Sequence, residues 1–181
     1  MPAAPGQCQL DAAQMEETLA RLAKDIVAGL RPDEAFVLLG IRSRGLPLAE
    51  RLALLLREAT GRPAPVGTLD ITLYRDDLTE KAGMPIVRPT EIPFTLKERT
   101  VILVDDVLYT GRTIRAALDA LLDHGRPNRV LLAILIDRGG RELPIQADFT
   151  GLSLKVESHQ RVSVKIQEVD GEDGVYIEGR G

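Results

Sequence analysis

The sequence predicts an α/β domain: a central, mainly parallel sheet with helices on both faces and a small C-terminal hood. Three observations carry this. Phe36 to Ile41, Val101 to Val104 and Arg129 to Ile136 are apolar runs without alternation, which suits strands buried on both faces. Segments with helical periodicity lie between those runs, so strand alternates with helix as in a doubly covered parallel sheet. After Asp137 the pattern breaks into short alternating pieces. A chain of 181 residues with 44% apolar content fits one domain, residues 1–181, with a sizeable core.

Residues 1–9 contain Pro and Ala and read as a flexible lead-in. Met15, Leu19, Leu22, Ile26 and Val27 recur at helical spacing, placing an amphipathic helix from Asp11, its N-cap, to about Gly29. Leu46 to about Ala59 is the next helix, ended by Gly61-Arg62-Pro63. Val66 to Tyr74 is mostly β-branched and alternates, as a strand does. The segment 75–98 carries prolines and many charges and is too long for an ordinary connection; it is either a mobile lid or a solvated hairpin. After the Val101 strand, Ile114, Ala117, Leu118, Leu121 and Leu122 mark a helix that ends near His124-Gly125. Ala147 to Gly151, Val162 to Ile166 and Tyr176-Ile177 are expected to form the hood over the ligand edge of the sheet, with Tyr176-Ile177 as an edge strand.

Composition narrows the function. A net charge of −4 argues against an overall basic nucleic-acid coat but leaves room for a local basic patch. With no Trp and few aromatics, base-stacking platforms are not expected. The one cysteine, Cys8, cannot staple the fold. No apolar run approaches the ~20 residues needed to cross a bilayer, and the N-terminus lacks a secretory pattern, so a soluble cytoplasmic protein with no membrane partner is expected. His124 and His159 are far apart and no Cys/His cluster has metal-ligand spacing. Neither a nucleophile elbow nor a Walker A sequence is present.

The densest chemistry lies in Val101 to Thr113. Asp105 and Asp106 stand at the C-terminal end of a buried strand, where α/β folds bind ligands. Leu108 to Thr113 then turns into a helix. Main-chain N–H groups of that turn, the hydroxyls of Thr110 and Thr113 and the helix dipole make an anion site, and Gly111 permits close backbone approach. Adjacent carboxylates before a phosphate cradle suit a ligand with vicinal hydroxyls beside a phosphate, although an isolated Asp-Asp pair can equally be capping or surface charge. Arg42-Ser43-Arg44-Gly45 repeats the design after another strand and would hold a second anion. Arg138 to Leu143 follows a third strand to the same sheet edge.

Over its whole length Val101 to Thr113 resembles the phosphoribosyl-pyrophosphate (PRPP) motif of the type I phosphoribosyltransferases, which implies their fold. By that resemblance Asp105 and Asp106 hold the ribose hydroxyls, directly or through Mg²⁺, and Val107, Leu108, Tyr109, Thr110, Gly111, Arg112 and Thr113 surround the 5-phosphate. Ser43, Arg44 and Gly45 would form the pyrophosphate loop, with Arg42 and Arg44 stabilising the leaving group and Arg75 closing over the polyphosphate. Tyr109 stands where purine enzymes of the family commonly carry an acid, which favours a pyrimidine base.

Asp70 to Leu78, Arg138 to Pro144 and Glu168 to Gly171 extend the resemblance to the bifunctional pyrimidine-operon attenuators with uracil phosphoribosyltransferase activity. This implies synthesis of UMP from uracil and PRPP, UMP- or UTP-dependent binding of pyrimidine-gene leader mRNA, and a homodimer or higher homo-oligomer; the alternative is the enzyme alone. Arg138 and main-chain groups near Arg161 and Val162 are the implied base contacts, and Arg21, Lys24, Arg141 and the Ser158 to Arg161 turn the implied RNA contacts. The chain departs from the pattern at Gly140 and Gln146, where His and Arg are expected, and at Glu16 and Glu17, where basic residues are frequent. Those changes remove positive charge from a phosphate-facing surface.

Overall fold

A computed structural model describes residues 6–76 and 87–179. Five parallel strands form the main sheet in the order β3-β2-β4-β5-β6: β2 is Phe36–Ile41, β3 Val66–Leu69, β4 Thr100–Leu108, β5 Arg129–Asp137 and β6 Phe149–Ser153. Every residue of β2 is buried because both faces are covered. Leu38, Ile102 and Ala133 pack under helices α1 (Ala12–Gly29) and α2 (Gly45–Thr60). Their neighbours Val37, Leu39, Val101, Leu103 and Ile134 face helix α3 (Arg112–His124) on the other side. The unbroken apolar runs follow directly from this sharing of alternate residues between two cores. This is the parallel, doubly covered α/β architecture expected from the sequence.

Local chemistry sets the helix ends. Asp11 caps α1 by accepting the Gln14 N–H at 2.8 Å, and Gln14 Oε1 accepts the Asp11 N–H at 3.0 Å, a reciprocal capping box. Gly61 ends α2 in the left-handed region at φ 65°.

Four expectations need correction. The lead-in contains a strand, β1 (Gln7–Leu10), within the range expected to be flexible. The third strand stops at Leu69, because the Asp70 carboxylate accepts the Thr72 N–H at 2.8 Å and draws Thr72–Tyr74 into a 3-10 turn. Phe149–Ser153 joins the main sheet beside β5, rather than the hood. The hood itself is antiparallel, β1-β8-β7, with β7 spanning Gln160–Lys165 and β8 spanning Gly174–Gly179, so Tyr176 and Ile177 lie on its central strand.

Of the segment expected to be a lid, residues 77–86 lie outside the described residues. Its later part is anchored. Glu91 exchanges main-chain hydrogen bonds with Thr68 at 2.8 and 2.9 Å, Thr90 Oγ1 accepts the Asp70 N–H at 3.0 Å, and Leu96 is buried in the α3-side core.

At the opposite, N-terminal edge of the sheet, Arg129 places Nε and Nη2 on the two carboxylate oxygens of Glu34, each at 2.7 Å, and the Thr100 hydroxyl donates to the same carboxylate. The Arg129 hydrogen bonds hold Glu34 at a pKa of about 2, below its ordinary 4.5. A depressed carboxylate contributes stability fully above its unfolded pKa and loses it as pH falls through the folded value. Wild-type stability is therefore expected to fall more steeply than that of Glu34→Gln between about pH 4.5 and 2, by at most about 3 kcal/mol. Parallel curves from denaturant titrations at several pH values would contradict this role.

Candidate active site

Asp105 and Asp106 are both inside β4, which runs four residues beyond Val104. Strand alternation starts their side chains toward opposite faces, yet at the end of the strand the two carboxylates stay close enough to act on one another. Asp106 lies on the α2 side, where its charge acts on Arg44, and Asp105 on the side where Arg75 acts on it. One oxygen of each is used locally: Asp105 Oδ1 accepts the Asp106 N–H and Asp106 Oδ1 accepts the Val107 N–H, both at 2.9 Å. That leaves each carboxylate a second oxygen for ligand chemistry. Asp105 is only 6% exposed. Burial, and then the neighbouring Asp106 charge, push its pKa well above the usual carboxylate range, while Arg75 opposes them.

The turn after β4 is built as an anion cradle. Gly111 is the N-cap of α3 at φ 93°, and no side chain caps the helix. The Arg112 N–H is taken by Thr110 Oγ1 at 3.3 Å, and the next first-turn N–H groups, without a side-chain cap, are available to a ligand. The loop after β5 backs the turn: Glu142 and Leu143 donate to the Thr110 carbonyl at 2.9 and 3.0 Å, and the Arg138 N–H donates to that of Leu108 at 3.1 Å. A cleft of about 390 Å³ results, lined by Val107 through Ile114 together with Arg75, Asp76 and Glu142. Arg112 bridges Asp76 at 2.7 Å and Glu142 at 2.8 Å across that wall.

The second loop folds tightly onto the sheet. A Cβ on Gly45 would run into the Val104 carbonyl oxygen, and one on Gly40 into the backbone of Gly45 and Leu46. The Arg42–Ser43 peptide is cis. Arg42 and Ser43 line a pocket of about 200 Å³ with Asp70, Ile71, Thr72, Arg75 and Arg88. Arg75 borders this pocket and the cradle alike. The Nε of Arg42 is buried without a hydrogen-bond partner among the described residues. Arg44 instead turns to the hood and forks onto Asp170 at 3.0 and 2.8 Å. Asp70 opens a motif legible in the sequence but carried no expected site role, and Arg88 carried none either. The Asp70-Ile71-Thr72 turn signature was the available signal for the first, whereas Arg88 is an unremarked charge in a proline-containing segment.

Of the implied base contacts, the Arg138 side chain is brought to the cradle. It is 7% exposed, its guanidinium carbon lies 3.9 Å from the centroid of the Tyr109 ring, and Nη1 donates to the Gln160 carbonyl of the hood at 3.3 Å. Its Nε has no partner among the described residues. The Arg161 side chain pairs with Glu178 at 2.7 Å, and the Val162 side chain packs against the α1–α2 core.

The implied RNA contacts divide similarly. Arg21 and Lys24 are exposed on α1, with Arg21 near Asp25 at 3.7 Å and donating to the Gly151 carbonyl. Arg141 is committed: Nε to the Ile145 carbonyl at 2.8 Å, Nη1 to that of Tyr109 at 3.0 Å and Nη2 to Asp137 at 2.6 Å. It braces the cradle. Gly140, at φ 77°, lies so close under Tyr109 that a Cβ there would be 2.6 Å from the ring.

The family model described as "Phosphoribosyl transferase domain" matches residues 8–167. Among similar proteins, "Bifunctional protein PyrR" of Pelotomaculum thermopropionicum is 54% identical over 168 residues, covering 93% of each chain. The protein of the same name from Deinococcus radiodurans is 54% identical over 174 residues, covering 96% of this chain and 95% of its own. The chain belongs to the PyrR family of type I phosphoribosyltransferases. A solved structure with the same fold is the hypoxanthine phosphoribosyltransferase of Trypanosoma cruzi, with TM-score 0.69, 17% identity and 96% of each chain covered. In this phosphoribosyltransferase no helix among the described residues is long and apolar enough to cross a membrane.

Proposed function

We propose that the chain transfers the ribose 5-phosphate of PRPP to N1 of uracil, giving UMP and pyrophosphate, and that it also binds pyrimidine-gene leader mRNA when UMP or UTP occupies the site. The observation that carries the enzymatic reading is the pair of anion pockets at the C-terminal ends of β2 and β4, joined by Arg75. Two neighbouring anion pockets along one sheet edge suit a ligand with a phosphate at one end and a pyrophosphate at the other.

In this reading the Thr110 and Thr113 hydroxyls and the α3 amides hold the 5-phosphate, and the loop Arg42 to Gly45 receives the pyrophosphate. The bond from the anomeric carbon to the pyrophosphate oxygen breaks as N1 bonds to that carbon, through an oxocarbenium-like state, and the N1 proton leaves with the pyrophosphate or to solvent. Asp105 and Asp106 orient the ribose hydroxyls and stabilise positive charge on the ring. Arg42, with its unused buried Nε, takes negative charge on the departing pyrophosphate. Arg138, over the Tyr109 ring, offers donors to a uracil carbonyl. Among the described residues no group of three or more His, Cys, Asp or Glu could cage a metal. Two adjacent carboxylates do suit Mg²⁺, which is usually held by one or two carboxylates and substrate phosphates. When bound there it would neutralise polyphosphate charge.

Exposed Arg21 and Lys24 support an RNA surface on α1, in a cytoplasmic homodimer or larger homo-oligomer. The commitment of Arg141 to Asp137 favours a second reading, the enzyme without RNA regulation.

Two assays test the two halves. Protein, Mg²⁺, PRPP and labelled uracil should yield UMP, with purine bases poor substrates; no reaction with any nucleobase would sink the enzymatic half. Filter binding of leader RNA should tighten with UMP, and Arg21→Ala should weaken it. RNA retention indifferent to UMP would favour the enzyme alone.

A further inference from the structure

The two arginines of the pyrophosphate loop differ in their surroundings. Among the described residues Arg42 has a buried, unpartnered Nε, and its Nη2 reaches the Pro89 carbonyl at 3.4 Å and Glu91 at 3.9 Å. Arg44 has both carboxylate oxygens of Asp170 in a planar fork. Asp170 is itself fixed, because its Oδ2 also accepts the Ile166 N–H at 2.9 Å, and its side chain is only 12% exposed. The Arg44 guanidinium holds the Asp170 carboxyl below the usual range, so the pair stays charged at neutral pH.

Seven residues further on, two turns along the same face of α2, Arg51 forks onto Glu168 at 2.9 and 2.5 Å and onto Asp173 at 2.9 Å. The hood turn 166–173 therefore grips α2 twice. Only the Arg44 grip lies inside the pyrophosphate loop. Arg44 is the N-cap residue of α2, without a capping side chain, directly before the Gly45 that presses on the Val104 carbonyl. The fork to Asp170 therefore tethers the last loop residue to the hood where the loop enters α2.

The geometry points to Asp170 as a positioning residue for phosphoribosyl transfer: acting through Arg44, it fixes the aim of the pyrophosphate loop's main-chain N–H groups and leaves Arg42 as the arginine that meets the leaving group. This rests on the phosphoribosyltransferase reading above. It assigns a role in the site to a residue of the hood, outside both the cradle and the loop. Arg44 thereby becomes a strut between hood and loop.

The test compares the full-length wild type with Asp170→Asn, Arg44→Ala, Arg44→Lys and the Asp170→Asn/Arg44→Ala double variant, with Glu168→Gln as control. Readouts are KM for PRPP, KM for uracil, calorimetric Kd for inorganic pyrophosphate with Mg²⁺, and Tm. Asp170→Asn should raise KM for PRPP and Kd for pyrophosphate about tenfold, the scale of a small misplacement of positioning groups, with uracil KM unchanged. Arg44→Ala should lose the same amount and the double variant no more, since residues acting as one unit are not additive. Glu168→Gln should lower Tm without moving pyrophosphate affinity.

Pyrophosphate binding unaffected by Asp170→Asn, or effects of Asp170→Asn and Arg44→Ala that add, would overturn the assignment. If Asp170→Asn fails to fold, Arg44→Lys, which keeps the charge and loses the fork, takes its place, and intact pyrophosphate affinity there overturns it equally. A wild type that binds pyrophosphate but makes no UMP refutes the functional reading while the Asp170 assignment stands or falls on binding. One that binds no pyrophosphate overturns both.

Discussion

A chain carrying Asp105→Asn and Asp106→Asn is expected to lose UMP formation by about 10³-fold or more while its Tm stays level or rises. Asparagine has nearly the same shape, so packing is conserved and the acceptors for the Asp106 and Val107 N–H groups remain. The charge does not remain. Asp105 is buried beside a second carboxylate, and both burial and repulsion disfavour its ionised form. Removing two charges relieves that cost, so stability should not suffer. Steady-state kinetics with uracil and PRPP, paired with a thermal melt, decide the matter. Substantial turnover in the double variant would show that the carboxylates are structural; a collapse in Tm would show that their charge is needed for folding.

Gly45→Ala should be among the most damaging single-methyl changes. The added Cβ would overlap the Val104 carbonyl oxygen and crowd Gly40, both main-chain neighbours that no rotamer change can move. Separating α2 from β4 would disturb the Leu48 and Leu52 packing above Ile102 and Val104, at a cost of about 3 kcal/mol. It would also move the pyrophosphate loop away from Asp106. Loss of PRPP affinity together with a lowered denaturant midpoint is expected. Gly61→Ala, at the exposed end of α2 with nothing within 4 Å, is the contrasting case and should cost only local backbone strain, with PRPP affinity unchanged. Normal PRPP affinity in Gly45→Ala would mean that close approach of the loop to β4 is dispensable.

Much of the fold was legible because its signals are local. Phe36–Ile41 reads as a buried strand since every side chain meets one core or the other, and Asp11 with Gln14 forms a cap within four residues. The hood was legible only in part. Gln7–Leu10 is too short to show a period, and it becomes a strand by pairing with Val175, Tyr176 and Ile177 at the far end of the chain. Phe149–Ser153 is a half-buried edge strand whose pattern cannot announce which sheet it joins.

The site followed the same division. Asp105, Asp106 and the turn from Leu108 to Thr113 are contiguous, so their shared purpose is written in one stretch. Long side chains were the weak point. Sequence chemistry identifies arginines suited to anions, yet Arg44 is claimed by Asp170 and Arg141 by Asp137 and two main-chain carbonyls. A guanidinium suited to a phosphate fits a carboxylate equally well, and tertiary structure decides which one it meets.

Whether one cradle receives the 5-phosphate of both PRPP and UMP is read most directly from inhibition of UMP synthesis by added UMP, in wild type and in Thr110→Ala. Thr110 lines the cradle, so its hydroxyl should serve either phosphate. Inhibition competitive with PRPP is expected, and Thr110→Ala should raise KM for PRPP and Ki for UMP by the same factor. UMP inhibition that rising PRPP fails to relieve, or a Thr110→Ala effect confined to one of the two ligands, would contradict a shared cradle at the end of β4.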